Sequence, residues 1–195
     1  MATLRSVALL SLLALAAALG GCKVDGVNPV VPLASAQADT ALYGAWRFRD
    51  KDELTYVHIG PDFALGDAKE GQPMRIVIVD HKRNGLTEED YVAYGARAGR
   101  HRFLSVAQEE KGKREGYLYV RYALLDGNAI RFATVNQEAL GAAIKAGRIK
   151  GTVRGEGLAA ETVITADPAE IAAFLAAAGA DLFNPPVVLR RVPPR

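Results

Sequence analysis

The chain has 195 residues, in which 24 Lys and Arg stand against 22 Asp and Glu. So even a balance argues against nucleic acid as a partner, since that would want a concentrated basic face, and against a polybasic membrane patch. With one cysteine in the whole chain, Cys22, there is neither an internal disulfide nor a thiolate metal site.

The first six residues carry one cation, Arg5, and no acid, and Val7 to Leu19 is an apolar run broken only by Ser11. A spanning helix needs roughly 20 apolar residues, so this run is too short to cross a bilayer. A cationic start, a short apolar core and small residues before a cut describe a secretory signal over residues 1–21. Leu19-Gly20-Gly21-Cys22 resembles the lipobox of bacterial lipoproteins. The resemblance implies a diacylglyceryl group on the Cys22 thiol and cleavage just before it. Lys23 in place of the Asp that retains such proteins at the inner membrane implies the outer membrane, facing the periplasm. The membrane is thus the first expected partner, through the lipid on Cys22.

From residue 22 to about residue 40 neither a strand nor a helix period is visible. Asn28-Pro29 and Val31-Pro32 remove backbone donors, and Ala34-Ser35-Ala36-Gln37-Ala38 is small and polar. This stretch is expected to be a flexible tether, with residues 41–195 as a single β-rich domain.

Strands are expected at Leu42–Phe48, Leu54–Ile59, Met74–Val79, Tyr91–Arg97, Arg102–Ala107, Tyr117–Leu124, Ile130–Thr134, Glu161–Thr165 and Val187–Val192. Arg83-Asn84-Gly85 and Asp126-Gly127 are hairpin signals, and Glu109–Glu115 reads as a solvated loop between hairpin arms. Two helices interrupt the pattern. Asn136 caps the first, with Val135 and Leu140 as a hydrophobic staple; Asp167-Pro168-Ala169-Glu170 is a capping box opening the second. The fold class is mainly β (α+β): an antiparallel barrel or curled sheet of about eight strands, with two short helices in the C-terminal half.

Gly44-Ala45-Trp46 resembles the G-x-W signature of the lipocalins and related calycin barrels. The resemblance implies that Trp46 seals one end of an eight-stranded barrel under an arginine from the last strand, Arg190 or Arg191. It also implies a cavity for a small apolar ligand. The segment 42–192 further resembles small bacterial envelope lipoproteins, through Asp181-Leu182-Phe183-Asn184-Pro185-Pro186 and Arg190-Arg191-Val192. That second resemblance implies no particular activity.

Candidate chemistry is sparse. His58, His81 and His101 lie on separate elements with no second ligand at metal spacing. No G-x-S-x-G elbow occurs, and the serines after Cys22 are Ser35 and Ser105. No catalytic residue, cofactor or metal is therefore assigned. Tyr117, Tyr119 and Arg121 share one face of the strongest strand and suit an amphipathic cavity wall or a contact surface. The expectation is a non-enzymatic lipoprotein binding a small apolar or amphipathic ligand in a lipocalin-like barrel. The alternative is an envelope module with a packed core that docks a protein partner.

Overall fold

The computed structural model describes residues 24–50, 53–63, 71–82, 85–155 and 161–193. Cys22, Gly20, Gly21 and the apolar run before them lie outside the described residues. Hairpin by hairpin, the expected strands pair antiparallel until the sheet meets itself. They are β1 (Gly44–Asp50), β2 (Glu53–Pro61), β3 (Pro73–Lys82), β4 (Gly85–Ala98), β5 (His101–Glu110), β6 (Lys113–Leu124) and β7 (Ala129–Thr134). The chain then leaves the ring through α1 (Gln137–Lys145), β8 (Gly151–Arg154), β9 (Glu161–Ile164) and α2 (Pro168–Ala177), and returns as β10 (Val187–Arg191). The result is a closed barrel of order β1-β10-β7-β6-β5-β4-β3-β2, with β8 and β9 as a separate two-stranded sheet. Closure gives each of the eight barrel strands a neighbour on both sides for at least part of its length.

Local chemistry accounts for most of the boundaries. The loop expected at Glu109–Glu115 is instead almost all strand. β5 runs to Glu110 and β6 starts at Lys113, because Lys111 (φ 52°) and Gly112 (φ 74°) form a two-residue turn whose positive φ angles match strand twist. Asn136 caps α1 by accepting from the Ala139 N–H, and Asp167 and Glu170 form the reciprocal capping box of α2. Val135 and Leu140 are both buried, as a staple requires.

Each barrel strand alternates between an inner and an outer face. Trp46, Val57, Met74, Leu104, Val120, Ile130 and Leu189 belong to the inner core. A second core lies outside the ring. There Tyr94, Phe103, Tyr119 and Ala133 of β4 to β7 pack against Leu140, Ile164, Ile171, Leu175 and Phe183 of the excursion.

The expected flexible tether is overturned over residues 24–40, which together with the next three residues form an ordered strap on the barrel wall. It starts against β6, where Gly26 pairs with Tyr117 on one side and Ile164 of β9 on the other. It then crosses β5, where the Val30 N–H donates to Ser105 Oγ at 3.0 Å, and β4, where the Gln37 N–H donates to Gly95 O at 3.3 Å. Val30 is fully buried. The prolines that suggest a tether instead suit a segment whose bonds are taken by a wall already built.

Gly26 is required at the crossing, because a Cβ there would run into the Tyr119 hydroxyl. Gly26→Ala is therefore expected to destabilise the fold by about 1–3 kcal/mol through overpacking. Thermal unfolding would report that loss, and limited proteolysis would report cleavage within the released strap.

Candidate functional site

The two ends of the barrel differ in chemistry. At one end, where the chain enters β1 and where the β2–β3, β4–β5 and β6–β7 connections lie, the interior is sealed. Trp46 is fully buried and its indole N–H donates to Leu42 O at 2.7 Å. The Arg191 guanidinium stacks 4.0 Å from the indole centroid. It also donates to Tyr43 O (2.8 Å), Ala41 O (3.0 Å) and Gly127 O (3.3 Å), so one side chain ties together the strap, the β6–β7 turn and β1. Gly44, at φ 129°, suits this corner on two counts. Its backbone angle is one that side-chain-bearing residues rarely adopt, and a Cβ there would lie 2.7 Å from Arg191 Nη1.

Of the two arginines named from sequence, the register selects Arg191, paired with Trp46. Arg190 pairs with Arg47 on the outer face and is exposed. At the same end of the barrel, Asp39 Oδ2 accepts from Arg102 Nη1 (2.7 Å) and from the Tyr122 hydroxyl (2.8 Å). Burial, reinforced by Asp39, pushes the Tyr122 pKa well above its usual range.

At the other end lie the β1–β2, β3–β4 and β5–β6 hairpins, and the inward side chains keep contact with solvent. The registers Phe48↔Thr55, Thr55↔Asp80, Ile78↔Glu89 and Ile76↔Tyr91 place these residues on the inner face, and Phe48, Thr55, Ile78, Asp80, Glu89 and Tyr91 are all only part-buried. Their polar atoms pair locally. The Thr55 hydroxyl donates to Asp80 Oδ1 at 2.5 Å, and the Tyr91 hydroxyl donates to Glu89 Oε2 at 2.7 Å. Burial, then the Glu89 carboxylate, raises the Tyr91 pKa, so it stays a neutral donor. An apolar wall with a few hydroxyl and carboxylate groups at its lip is the usual make-up of a small-molecule site.

The expected wall residues Tyr117, Tyr119 and Arg121 do not line the interior. They project from the outer face of β6, opposite the inward Leu118, Val120 and Tyr122, and the strap and excursion cover them. Tyr119 donates to Asn28 O at 2.5 Å, Tyr117 packs edge-on against Tyr94, and Arg121 stacks 3.9 Å over Phe183. Both faces of β6 are apolar, so alternation alone does not tell inside from outside. The same packing answers for the Leu182-Phe183 tail, both residues of which are buried.

Sequence reasoning missed Asp25. Its carboxyl group is buried between β6 and α1, where it accepts from the Tyr119 N–H at 2.6 Å and from Gln137 Nε2 at 2.5 Å. The Tyr119 N–H is free to bond it because β7 pairs with β6 only from Val120 onward. Burial, partly offset by the two hydrogen bonds, pushes the Asp25 pKa from 3.8 up to about 7.

The three histidines stay apart on β2, β3 and β5, and among the described residues no three His, Cys, Asp or Glu side chains gather as a metal site. No described helix is long and apolar enough to cross a membrane. The geometry defines a one-ended β-barrel carrying a strap and an α/β excursion. No protein-family model, no curated protein and no solved structure matches the chain.

Two expectations follow. The folded chain holds the Asp25 proton more tightly than the unfolded chain, so this group favours folding most at low pH. Its contribution declines as pH rises from 3.8 to about 7 and is level above. Asp25→Asn, with Gln137 turned to present its carbonyl, is expected to gain roughly 2–3 kcal/mol on the native chain between pH 5 and pH 8. Parallel urea titrations at the two pH values measure that difference. At the sealed end, Arg191→Met is expected to cost about 1–3 kcal/mol, through the lost stacking and the part-buried Tyr43 carbonyl left without its donor. It should also shift the emission of Trp46, the only tryptophan, whereas Arg190→Met should change stability by less than about 0.5 kcal/mol.

Proposed function

We propose that this is a lipid-anchored, non-enzymatic envelope protein whose barrel takes a small apolar or amphipathic ligand through its open end. The observation that carries the reading is the contrast between the ends: Trp46 and Arg191 close one, while part-buried Phe48, Ile78 and Tyr91 line the other beside Thr55, Asp80 and Glu89. A ligand's apolar body would occupy the inner face and its polar head would meet the hydroxyl and carboxylate groups at the lip. The lipobox-like Leu19-Gly20-Gly21-Cys22 supports attachment through acylated Cys22, with the outer membrane as the site and the periplasm as the compartment the barrel faces.

One observation favours the second reading, an accessory module that docks a protein. Leu54, Tyr56, Val77 and Val79 form a part-exposed apolar stripe on the outer face of β2 and β3, away from the strap and the excursion.

Titration with a fluorescent long-chain fatty acid separates the two. Ligand binding predicts a saturable signal, displaced by unlabelled amphiphile and lost in Ile78→Trp, a variant that fills the mouth, with unfolding temperature retained. A folded protein that binds no amphiphile favours docking. For the anchor, Cys22→Ser is expected to move the protein from the membrane to the soluble fraction; unchanged membrane fractionation overturns lipidation.

A further inference from the structure

The strap fixes where the chain leaves the barrel. Val24 lies against Gly116, near the base of the β5–β6 hairpin, and Asp25 is buried immediately after it. Three residue steps separate Asp25 from Cys22, a covalent reach of at most about 11 Å. The hairpin tip at Lys111-Gly112 lies at the open end, whereas β6 runs on from Gly116 to Leu124 at the sealed end. At about 3.3 Å per residue and a strand tilt near 40°, that stretch of β6 separates the strap origin from the sealed end by roughly 20 Å along the barrel axis. The flank of the barrel beside the strap origin is occupied by α1 and β9, which bury Asp25 through Gln137 and Ile164.

On the reading that Cys22 is acylated, we propose that the protein stands on its membrane open end down. The occupant of the open-end surface is the bilayer that holds the protein's own anchor. The β5–β6 hairpin and Leu86 meet the head groups, and the Trp46–Arg191 seal points away. Leu86, 65% exposed at the start of β4, lies on this rim and is the apolar side chain placed to enter the interface. Charge does little of the holding. Lys111, Lys113 and Arg114 around the tip are matched by Glu109, Glu110 and Glu115, so the short link to the acyl chains sets the orientation. The mouth then opens toward the membrane, and an amphipathic ligand passes between bilayer and barrel without crossing bulk water.

The test uses the full-length lipidated protein in vesicles of phosphatidylethanolamine and phosphatidylglycerol. An acylated Cys22 has no free thiol, so a fluorophore can be placed on one introduced cysteine at a time: Leu86→Cys or Lys113→Cys at the open end, Arg100→Cys or Asp126→Cys at the sealed end. With a quencher fixed to the lipid head groups, quenching severalfold stronger at the open-end positions is expected. A long Gly-Ser spacer inserted between Lys23 and Val24 should abolish that difference while membrane fractionation is retained. Equal quenching at both ends, meaning a barrel lying on its side, overturns the proposal, as does stronger quenching at the sealed end or a difference that survives the spacer. A full-length protein that does not fractionate with membranes at all overturns the anchor reading first, and this orientation with it.

Discussion

The structure depends on a three-way junction at Gly26. Its backbone pairs with Tyr117 of β6 and with Ile164 of β9, joining two sheets that otherwise share no strand. β7 leaves the wall beyond Thr134, so the adjoining edge of β6 from Tyr117 to Tyr119 would be unpaired without the strap. Buried backbone groups of this kind are costly if left without partners. The strap satisfies them by main-chain bonds and by the Asp25 carboxylate, and in doing so clamps the α/β excursion onto the barrel. A carboxylate buried at this junction stabilises it best when protonated, so the strength of the join depends on pH.

Beyond the junction, the barrel is built as a gradient. Side chains at the sealed end are large, buried and fully bonded, with Arg191 serving Trp46 and three carbonyls at once. Toward the β1–β2, β3–β4 and β5–β6 hairpins, the inward positions mix apolar Phe48 and Ile78 with Thr55, Asp80, Glu89 and Tyr91, and all of these still touch water. The strap begins nearer the end where inward side chains keep contact with solvent, and it finishes at the Trp46 end, where Arg191 holds its last carbonyls.

Much of this architecture was legible in the sequence because it is written in local chemistry. Strand alternation, the Asn136 cap and the Asp167–Glu170 box each depend on residues close together in the chain, whereas the Lys111-Gly112 turn was hidden in a charged run that reads as loop. The strap was not legible, because its main contacts are backbone groups of Asp25, Gly26, Val30 and Gln37, and these leave no side-chain pattern. Tyr117, Tyr119 and Arg121 were misplaced for a related reason. β6 is covered on both sides, so its two faces carry similar apolar content, and only the distant residues that cover it decide which is interior. The part-buried polar cluster at the other end of the barrel went unread because Thr55, Asp80, Glu89 and Tyr91 come from three strands and look like ordinary surface residues in isolation.

The position of β10 has a consequence for how the molecule is made. The strand that closes the ring against β1 is the last one in the chain, and the strap cannot be clamped until β9 has been supplied. Pairings between such distant segments are formed late and slowly, because the entropy of bringing them together is lost before any contact compensates it. While the chain is still emerging, β1 and β7 present open edges, and the Trp46 corner has no arginine to cover it. Folding of the ring is therefore deferred until the C-terminal strand is available, because no earlier segment can take its place between β1 and β7.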